Sequence, residues 1–180
     1  MTESSEPVVV MEHLVSLTYD EDLPANLVRF GEALMEGRII GQRCPVCHRV
    51  YVPGRGYCPL DVIPLTTDHE VEVADRGVVT GFTIVAPVRY YGQTKTEPFI
   101  YASVLLDGAS GTLGGQDISG IPADQVRMGL RVAAVWKPVE ERSMEGLSAR
   151  GWGSVAGAIT SFTPTGEPDM SREHYQEHII

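Results

Sequence analysis

Apolar positions follow a helical spacing near the N-terminus and a strand-like spacing from about residue 77 onward. Before that point, one set of apolar residues recurs every three or four positions and falls on one face of a helix. That set is Leu27, Phe30, Leu34 and Met35. Asp22 is a candidate N-cap, Pro24 fits the first turn, and Gly37 fits the C-terminal stop. The pattern predicts an amphipathic helix of about twelve residues.

From residue 77 onward, short apolar runs are separated by turn signals. The predicted strands are 78–88, 99–106, 112–113, 130–139 and 156–162, with 114–120 a glycine-containing turn and 122–128 able to hold one helical turn. Five such strands fit a small closed or partly open barrel. A β-sandwich is the alternative, although sandwiches of this kind usually have about seven strands. Residues 140–154 are predicted to form a long polar loop, which carries Trp152. Loops of this length in compact domains are often functional or face a partner.

The net charge of −10 is concentrated at the two ends of the chain. Residues 1–28 carry −6 and residues 166–180 carry −3, whereas residues 29–165 sum to −1. Residues 29–60 are locally basic at +3, which suits an acidic partner surface or the phosphates of a ligand. An acidic chain argues against autonomous nucleic-acid binding, which Lys and Arg drive by neutralising phosphates.

The three cysteines lie within fifteen residues of one another, and their number is odd. Such clustering favours metal binding in a reducing compartment over a disulfide framework. The first residues lack the features of a signal peptide, and the longest apolar run, 7–11, is too short for a membrane span. We therefore expect a cytoplasmic protein without a membrane-bound segment.

The strongest chemical signal is Cys44-Pro-Val-Cys47 followed, after ten residues, by Cys58-Pro-Leu-Asp61. Two residues between ligands let a tight turn direct both side chains at one ion, and a second such turn completes a tetrahedron. This spacing predicts a zinc ribbon whose fourth sulfur is replaced by the Asp61 carboxylate. A degenerate ribbon that binds metal weakly or not at all, and a redox use of the thiols, are the alternatives. His69 is a better substitute ligand than His48, which would point away from the ion.

Two further groups of residues are weaker candidates. His174 and His178 are four residues apart and would share a face of a helix, although at a polar terminus such residues are usually solvated. Tyr90 and Tyr91, with Arg89 and Lys95, could stack an adenine and contact phosphates, or could dock on a partner. No Ser/His/Asp set or pair of carboxylates indicates catalysis.

Several segments, in a fixed order, carry a resemblance to a known family. They are Gln42-Arg43-Cys44-x-x-Cys47, Tyr51-x-Pro53-x-Arg55, Cys58-Pro59, Gly77-Val78-Val79-x-Gly81-Phe82-Thr83 and Val126-Arg127-Met128-Gly129-Leu130-Arg131-Val132. In this order they resemble the bacterial and archaeal family that joins a rubredoxin-like zinc ribbon to an OB-fold. That family was first described as a domain of unknown function. The chain departs from its pattern at Asp61, where the family usually has a fourth cysteine.

The resemblance implies a non-catalytic accessory subunit of a thiolase-fold enzyme acting on acyl-CoA in lipid, steroid or aromatic metabolism. The partner would be a sterol-carrier-type thiolase or a retro-aldolase of steroid side-chain degradation, in a hetero-oligomer without nucleic acid. The barrel would help to form the acyl-CoA site, with Arg89, Tyr90, Tyr91 and Lys95 as candidate contacts. A single-stranded nucleic-acid-binding OB-fold, and a stand-alone acyl-CoA enzyme using Cys58, are the alternatives.

The expected fold is therefore mainly β, with an N-terminal helix and a zinc ribbon followed by a five-stranded OB-fold barrel. The expected divisions are an acidic lead and helix at 1–37, the ribbon at 38–75, the OB-fold at 76–165 and an acidic tail at 166–180. The predicted ligands of a structural Zn²⁺ are Cys44, Cys47, Cys58 and Asp61.

Overall fold

A computed structural model describes residues 13, 15–18, 20, 22–86, 96–149 and 154–179. The helices are α1 (Ala25–Met35), α2 (Gly146–Ala149) and α3 (Arg172–Tyr175). The strands are β1 (Ile39–Arg43), β2 (Val50–Tyr51), β3 (Glu70–Val73), β4 (Arg76–Val85), β5 (Phe99–Leu106), β6 (Thr112–Ile118), β7 (Arg131–Trp136) and β8 (Ile159–Pro164). Among the described helices, none has the length and apolar character that crossing a membrane requires.

Helix α1 forms where the spacing of apolar residues predicts it, but it begins later than expected. Pro24 is the N-cap, and its carbonyl accepts the N–H of Leu27 at 2.9 Å. The prediction of Asp22 as N-cap is therefore wrong, because the proline already has the φ of −66° that suits a helix start. At the other end, Gly37 has a φ of +83° and donates to the Leu34 carbonyl at 3.0 Å, as a C-terminal stop should.

The ribbon is a three-stranded antiparallel sheet in the order β2-β1-β3. Strand β1 lies in the centre, pairing Gln42 with Tyr51 of β2 and Ile40 with Glu72 of β3. Beyond β2, the chain forms a second hairpin that is marked by an isolated bridge between Tyr57 and Pro64. The sheet thus holds the two cysteine-containing turns at one end.

The second half of the chain forms a closed five-stranded barrel in the order β4-β5-β6-β8-β7. Neighbouring strands are antiparallel except for β6 and β8, where Ile118 pairs with Phe162 in parallel. Such a barrel is the architecture of an OB-fold. The predicted fold class is confirmed, and the β-sandwich alternative is wrong.

Strand β6 is longer than the sequence pattern indicates. The turn predicted at 114–120 is wrong, because the strand continues through Gly114 and Gly115 to Ile118. The pairing of β5 with β6 shifts register between Ala102 and Val104. A Cβ on Gly115 would lie 2.6 Å from the Tyr101 hydroxyl, and the residue has a φ of +68°. These glycines therefore permit an irregular strand instead of a turn.

One hydrophobic core joins the helix, the base of the ribbon and the barrel. Phe30 of α1, Ile39 of β1, and Val79 and Phe162 of the barrel are all almost fully buried within it. A separate small cluster at the far end of the ribbon contains Cys44, Tyr51, Cys58 and Leu65. The main core therefore stops before the cysteine-containing turns.

The described part of the segment predicted as a long polar loop packs against α1. Leu147 is 2% exposed, and a Cβ on Gly31 would lie 2.7 Å from Met144 Cε. Arg142 donates to the carbonyls of Met35 at 3.0 Å and Lys137 at 3.1 Å, joining the helix to the barrel. Residues 140–154 contain too few apolar positions to give a recognisable pattern, so this packing could not be predicted from the sequence. Trp152 lies outside the described residues.

The C-terminal segment is bound to the barrel through arginines. Arg131, 7% exposed, pairs with both carboxylate oxygens of Asp107 at 2.6 and 2.7 Å and with Glu167 at 3.3 Å. Arg127 pairs with Asp169 on the exposed side. Two of the acidic residues near this end therefore form ion pairs with the barrel.

Candidate metal centre

Two turns of matching backbone geometry, here called the knuckles, hold the predicted metal ligands. In the first, Cys44 N–H donates to the Arg49 carbonyl at 2.9 Å and His48 N–H donates to the Cys44 carbonyl at 3.0 Å. The corresponding bonds in the second are Cys58 N–H to the Ile63 carbonyl at 2.8 Å and Val62 N–H to the Cys58 carbonyl at 2.9 Å. The second knuckle therefore repeats the first, with a shift of fourteen residues along the sequence.

The residue after the second ligand position is left-handed in both knuckles. His48 has a φ of +60° and Val62 a φ of +54°. A non-glycine residue rarely adopts this conformation, and a β-branched valine does so least readily. The second knuckle thus keeps a strained conformation, and Asp61 occupies the position that Cys47 has in the first.

The four predicted donors converge on one point. Their donor atoms all lie within 4.8 Å of one another. Asp61 Oδ2 is 3.0 Å from Cys44 Sγ and 3.2 Å from Cys58 Sγ, and Cys47 Sγ is 3.6 Å from Cys58 Sγ. Tetrahedral zinc with ordinary bond lengths would place two sulfurs about 3.8 Å apart and a sulfur and an oxygen about 3.5 Å apart. The donor set therefore fits a tetrahedral Zn²⁺ after small adjustments.

The cluster is buried on one side and open on the other. Cys44 and Cys58 are 0% exposed, whereas Cys47 and Asp61 are partly exposed. The knuckles also supply hydrogen bonds to the buried sulfurs, from Val46 N–H to Cys44 Sγ at 3.3 Å and from Asp61 N–H to Cys58 Sγ at 3.4 Å. Such bonds stabilise thiolates where water cannot reach them.

Hydrogen bonds within the cluster shift the acidities of its members. Bonds from the thiols of Cys44, Cys47 and Cys58 lower the pKa of Asp61 to about 2. The Asp61 carboxylate in turn raises the pKa of Cys47 to about 11. Burial opposes ionisation of Cys58, but hydrogen bonds from the Tyr51 hydroxyl and the Asp61 N–H outweigh it and lower the pKa of that thiol. Asp61 is therefore a carboxylate, the form in which it can bind a cation.

The histidines considered as ligands do not join this cluster. His48 is exposed, and His69 Nδ1 lies 2.9 Å from the Thr66 N–H that it accepts, forming a cap for the 3₁₀ turn Thr67–His69. His174, in α3, is hydrogen-bonded to the side chain of Ser171, and His178 belongs to a separate 3₁₀ turn. Within the described ranges, Cys44, Cys47, Cys58 and Asp61 are the group of at least three such donors close enough for one ion. Arg89, Tyr90, Tyr91 and Lys95 lie outside the described residues.

Tyr51 also belongs to the site, although the spacing of the cysteines and Asp61 along the chain gave no indication of it. Its hydroxyl lies 3.3 Å from Cys58 Sγ, and its side chain is 8% exposed. The hydrogen bond to Cys58 and then burial raise the pKa of the phenol. The signal in the sequence was its place in Tyr51-x-Pro53-x-Arg55, which carried a family resemblance but no chemical role.

Family models match both halves of the chain. Residues 32–60 match the rubredoxin-like zinc ribbon domain of ChsH2, and residues 70–137 match its C-terminal OB-fold domain. Together the two models cover more than half of the chain. The predicted order of a ribbon followed by an OB-fold agrees with both.

Relatives and solved structures agree with this assignment. A DUF35 domain-containing scaffold protein of Methanocaldococcus jannaschii is 29% identical over 116 residues, which are 63% of this chain and 78% of the relative. A crystal structure of a DUF35 protein of unknown function from Sulfolobus solfataricus has a TM-score of 0.50 at 23% identity, covering 62% of this chain and 78% of that one. The structure of an Ltp2-ChsH2(DUF35) aldolase has a TM-score of 0.55 at 19% identity, covering 81% and 98%.

The two structural similarities concern the fold, whereas the family models concern the sequence itself. Both models occur in the order that the family has: the ribbon match includes the first knuckle and Cys58, and the OB-fold match includes the barrel strands β4 to β7. The chain therefore belongs to the ChsH2 (DUF35) family, in which a rubredoxin-like zinc ribbon precedes a C-terminal OB-fold.

Proposed function

We propose that the protein is a non-catalytic accessory subunit that binds a thiolase-fold enzyme and helps to form its acyl-CoA site. The M. jannaschii relative is described as a scaffold protein, and the solved Ltp2-ChsH2(DUF35) protein as an aldolase. The first description suits a chain whose role is to hold another protein, and the second names ChsH2 (DUF35) together with Ltp2. The observation that carries the proposal is the exposed apolar surface of the knuckles.

That surface, here called the knuckle surface, consists of three apolar side chains next to the donor cluster. Val46 is 61% exposed, Leu60 is 60% exposed and Val62 is 81% exposed. Each is the immediate neighbour of Cys47 or Asp61 in the sequence. Large apolar side chains grouped beside a rigid element are typical of protein interaction sites.

The charges around the knuckle surface indicate the kind of partner. Residues 37–60 contain four arginines and no acidic residue, although the whole chain carries −10. Arg43, Arg49 and Arg55 are exposed. A partner with an apolar centre and acidic residues at its rim is complementary to this surface, since opposite charges guide association and oppose wrong partners.

The proposed metal gives the knuckle surface a defined shape. Zn²⁺, held by Cys44, Cys47, Cys58 and Asp61, would join two turns that few apolar contacts hold together. Its role would be structural. Because Cys44 and Cys58 are 0% exposed, neither sulfur is accessible as a nucleophile toward an acyl thioester. That burial argues against the stand-alone enzyme that would use Cys58.

The barrel is the proposed acyl-CoA side of the subunit. Arg89, Tyr90, Tyr91 and Lys95 remain the candidate contacts, and they lie in the part of the sequence that connects β4 to β5. Phe82 and Ile84 of β4 are 39% and 45% exposed just before this connection. Residues 76–165 carry eight basic and seven acidic side chains, so this segment does not have the net positive charge that favours a groove for single-stranded nucleic acid.

Co-purification with a matched pair of variants tests the proposal. The tagged full-length chain, expressed in its source cell, should recover a thiolase-fold protein in stoichiometric amount. Leu60→Glu should reduce that recovery at least about tenfold, since a carboxylate would be buried against the apolar centre of the interface. Val139→Glu is the control, because Val139 is 66% exposed but lies beyond the last residue of β7, in the 3₁₀ turn Val139–Glu141.

Two outcomes would contradict the proposal in different ways. Failure to recover any thiolase-fold protein with the wild-type chain would remove the accessory-subunit function. If Leu60→Glu recovered as much thiolase-fold protein as the wild type, the accessory-subunit function would stand, but the knuckle surface would not be the docking site. Binding of acyl-CoA is tested separately, by comparing its affinity for the isolated chain and for the purified complex.

A further inference from the structure

Tyr51 lies at the junction between the ribbon sheet and the donor cluster. It is the last residue of β2, and its position is set by pairing with Gln42 of β1. Its ring is buried in the small cluster with Cys44, Cys58 and Leu65. The sheet register therefore directs a buried phenol at the metal ligands.

The hydroxyl of Tyr51 has a specific partner. It lies 3.3 Å from Cys58 Sγ, which also accepts the Asp61 N–H at 3.4 Å. Cys58 is 0% exposed, so its charge as a thiolate has to be balanced by donors from the protein and the metal. A thiolate has no proton to give, and the phenol is therefore the donor whenever Cys58 binds a metal.

The position of this bond coincides with the departure from a four-cysteine ribbon. Cys58 is the single sulfur of the second knuckle, because Asp61 stands where Cys47 stands in the first. Cys58 thus provides the sulfur contact of that knuckle to any ion. Its orientation matters more than it would if a second sulfur were available beside it.

A cation also lies over the ring that carries this hydroxyl. The Arg55 guanidinium carbon is 5.6 Å from the centre of the Tyr51 ring. A cation over a ring face draws electron density from the phenol, which strengthens its O–H as a donor. Arg55, Tyr51 and Cys58 therefore form a continuous series of contacts that ends at the donor cluster.

We propose that Tyr51 is a positioning residue of the metal centre, whose hydroxyl donates to the Cys58 thiolate and thereby raises the affinity of the site for its ion. The inference rests on the proposed zinc centre and goes beyond it, because it assigns the affinity partly to a residue that does not touch the metal. Hydrogen-bonding partners of metal ligands commonly contribute about 10–100-fold to affinity.

The test uses the full-length chain, with Zn²⁺ and Co²⁺ as the probes. Tyr51→Phe keeps the ring and removes only the hydroxyl. We expect Zn²⁺ affinity, measured by competition with a chromophoric chelator, to fall about tenfold. In the Co²⁺-loaded protein, the thiolate-to-cobalt charge-transfer band should move to longer wavelength, since a thiolate that loses a hydrogen bond is more easily oxidised. A purely structural role would not move this band.

Tyr57→Phe is the matched control, because Tyr57 lies in the second hairpin, directly before Cys58, and is 53% exposed. It should change neither the affinity nor the band. If the wild-type chain binds neither ion, the proposed metal centre itself fails. If the wild type binds Zn²⁺ and Tyr51→Phe matches it in affinity and spectrum, the metal centre stands and the role of Tyr51 is overturned. Incorporation of ring-fluorinated tyrosine, a stronger donor, should shift the band to shorter wavelength, and an unchanged band would contradict the inference.

Discussion

The main core and the knuckle cluster of this protein are stabilised in different ways. The main core joins α1, the base of the ribbon and the barrel, and includes fully buried side chains such as Phe30 and Phe162. The knuckle cluster has four buried residues, and two of these are cysteines. Burial of apolar surface suffices to order the first region, whereas the second has too little of it and, with the proposed zinc centre, would depend on a cross-link by metal.

The two regions nevertheless meet within one sheet. Ile39 and Ile40 of β1 belong to the main core, while Tyr51, in the neighbouring β2, belongs to the knuckle cluster. The base of the ribbon is therefore stabilised with the barrel. Loss of metal should open the knuckles locally without unfolding the rest, because local opening requires only the free energy of the contacts that it breaks.

The largest expected change in free energy comes from a substitution in the main core. Phe162→Ala removes a side chain that is 0% exposed in β8 and leaves a cavity inside the barrel. We expect the free energy of unfolding to fall by about 3–5 kcal/mol. Urea denaturation followed by circular dichroism measures this loss. The Zn²⁺ affinity of the protein that remains folded should be unchanged within about twofold, since Phe162 and the knuckles do not share a cluster.

Phe82→Ala is the control for this prediction, because Phe82 is 39% exposed on β4 of the same barrel. Its loss of stability should not exceed about 1.5 kcal/mol. A comparable loss in the two variants would contradict the distinction between buried and open parts of the barrel. A large fall in Zn²⁺ affinity with Phe162→Ala would contradict the independence of the two regions.

Regular periodicity made the helix and the barrel predictable. Leu27, Phe30 and Leu34 are buried on one face of α1 as their spacing requires. The strands that pack on the main core are bounded by turn signals, and β5 has the predicted bounds of residues 99–106. The convergence of Cys44, Cys47, Cys58 and Asp61 was predictable because two-residue spacing is itself a local geometric requirement of a metal site.

Features that depend on distant contacts were not predictable. Strand β6 passes through Gly115 because Tyr101, from another strand, approaches there. The contact of Tyr51 with Cys58 depends on the register of β1 and β2, which the sequence does not reveal. In each case the deciding neighbour is remote in the chain.

The next largest effect concerns the ligand set of the knuckles. Asp61→Ala removes the carboxylate that lies 3.0 Å from Cys44 Sγ and 3.2 Å from Cys58 Sγ. We expect Zn²⁺ affinity to fall by at least about 100-fold, or about 2.7 kcal/mol, since a ligand should contribute more than an outer partner such as Tyr51. Chelator competition measures the affinity. Hydrogen exchange should show that protection is lost at 44–65 and kept in the barrel.

Two further variants separate ligation from other effects of charge. Asp61→Cys supplies a fourth thiolate at the same position and should bind Zn²⁺ at least as tightly as the wild type. Asp68→Ala removes an exposed carboxylate from the 3₁₀ turn Thr67–His69 and should have no effect. Wild-type affinity in Asp61→Ala would show that Asp61 is not a ligand and that three cysteines with another donor form the site.

The smallest effect tests the strain that the second knuckle retains. Val62 has a φ of +54° and is 81% exposed, so Val62→Gly relieves an unfavourable conformation and loses almost no packing. Val46→Gly is the matched control, since Val46 is 61% exposed in the first knuckle and does not have a positive φ. Both substitutions to glycine make the unfolded chain more flexible, and this lowers the stability of the two variants by the same amount.

The difference between these two variants therefore isolates the conformational strain. Val62→Gly should bind Zn²⁺ more tightly than Val46→Gly by about 1–2 kcal/mol, or about 5–30-fold, because the metal-bound knuckle requires the left-handed residue. Chelator competition again provides the measurement. In the metal-free protein the two variants should have equal stability toward urea, because the opened knuckle no longer imposes this conformation. If the two variants differed in stability without metal as well, the second knuckle would keep its conformation without an ion. The proposed difference between the main core and the knuckle cluster would then be contradicted.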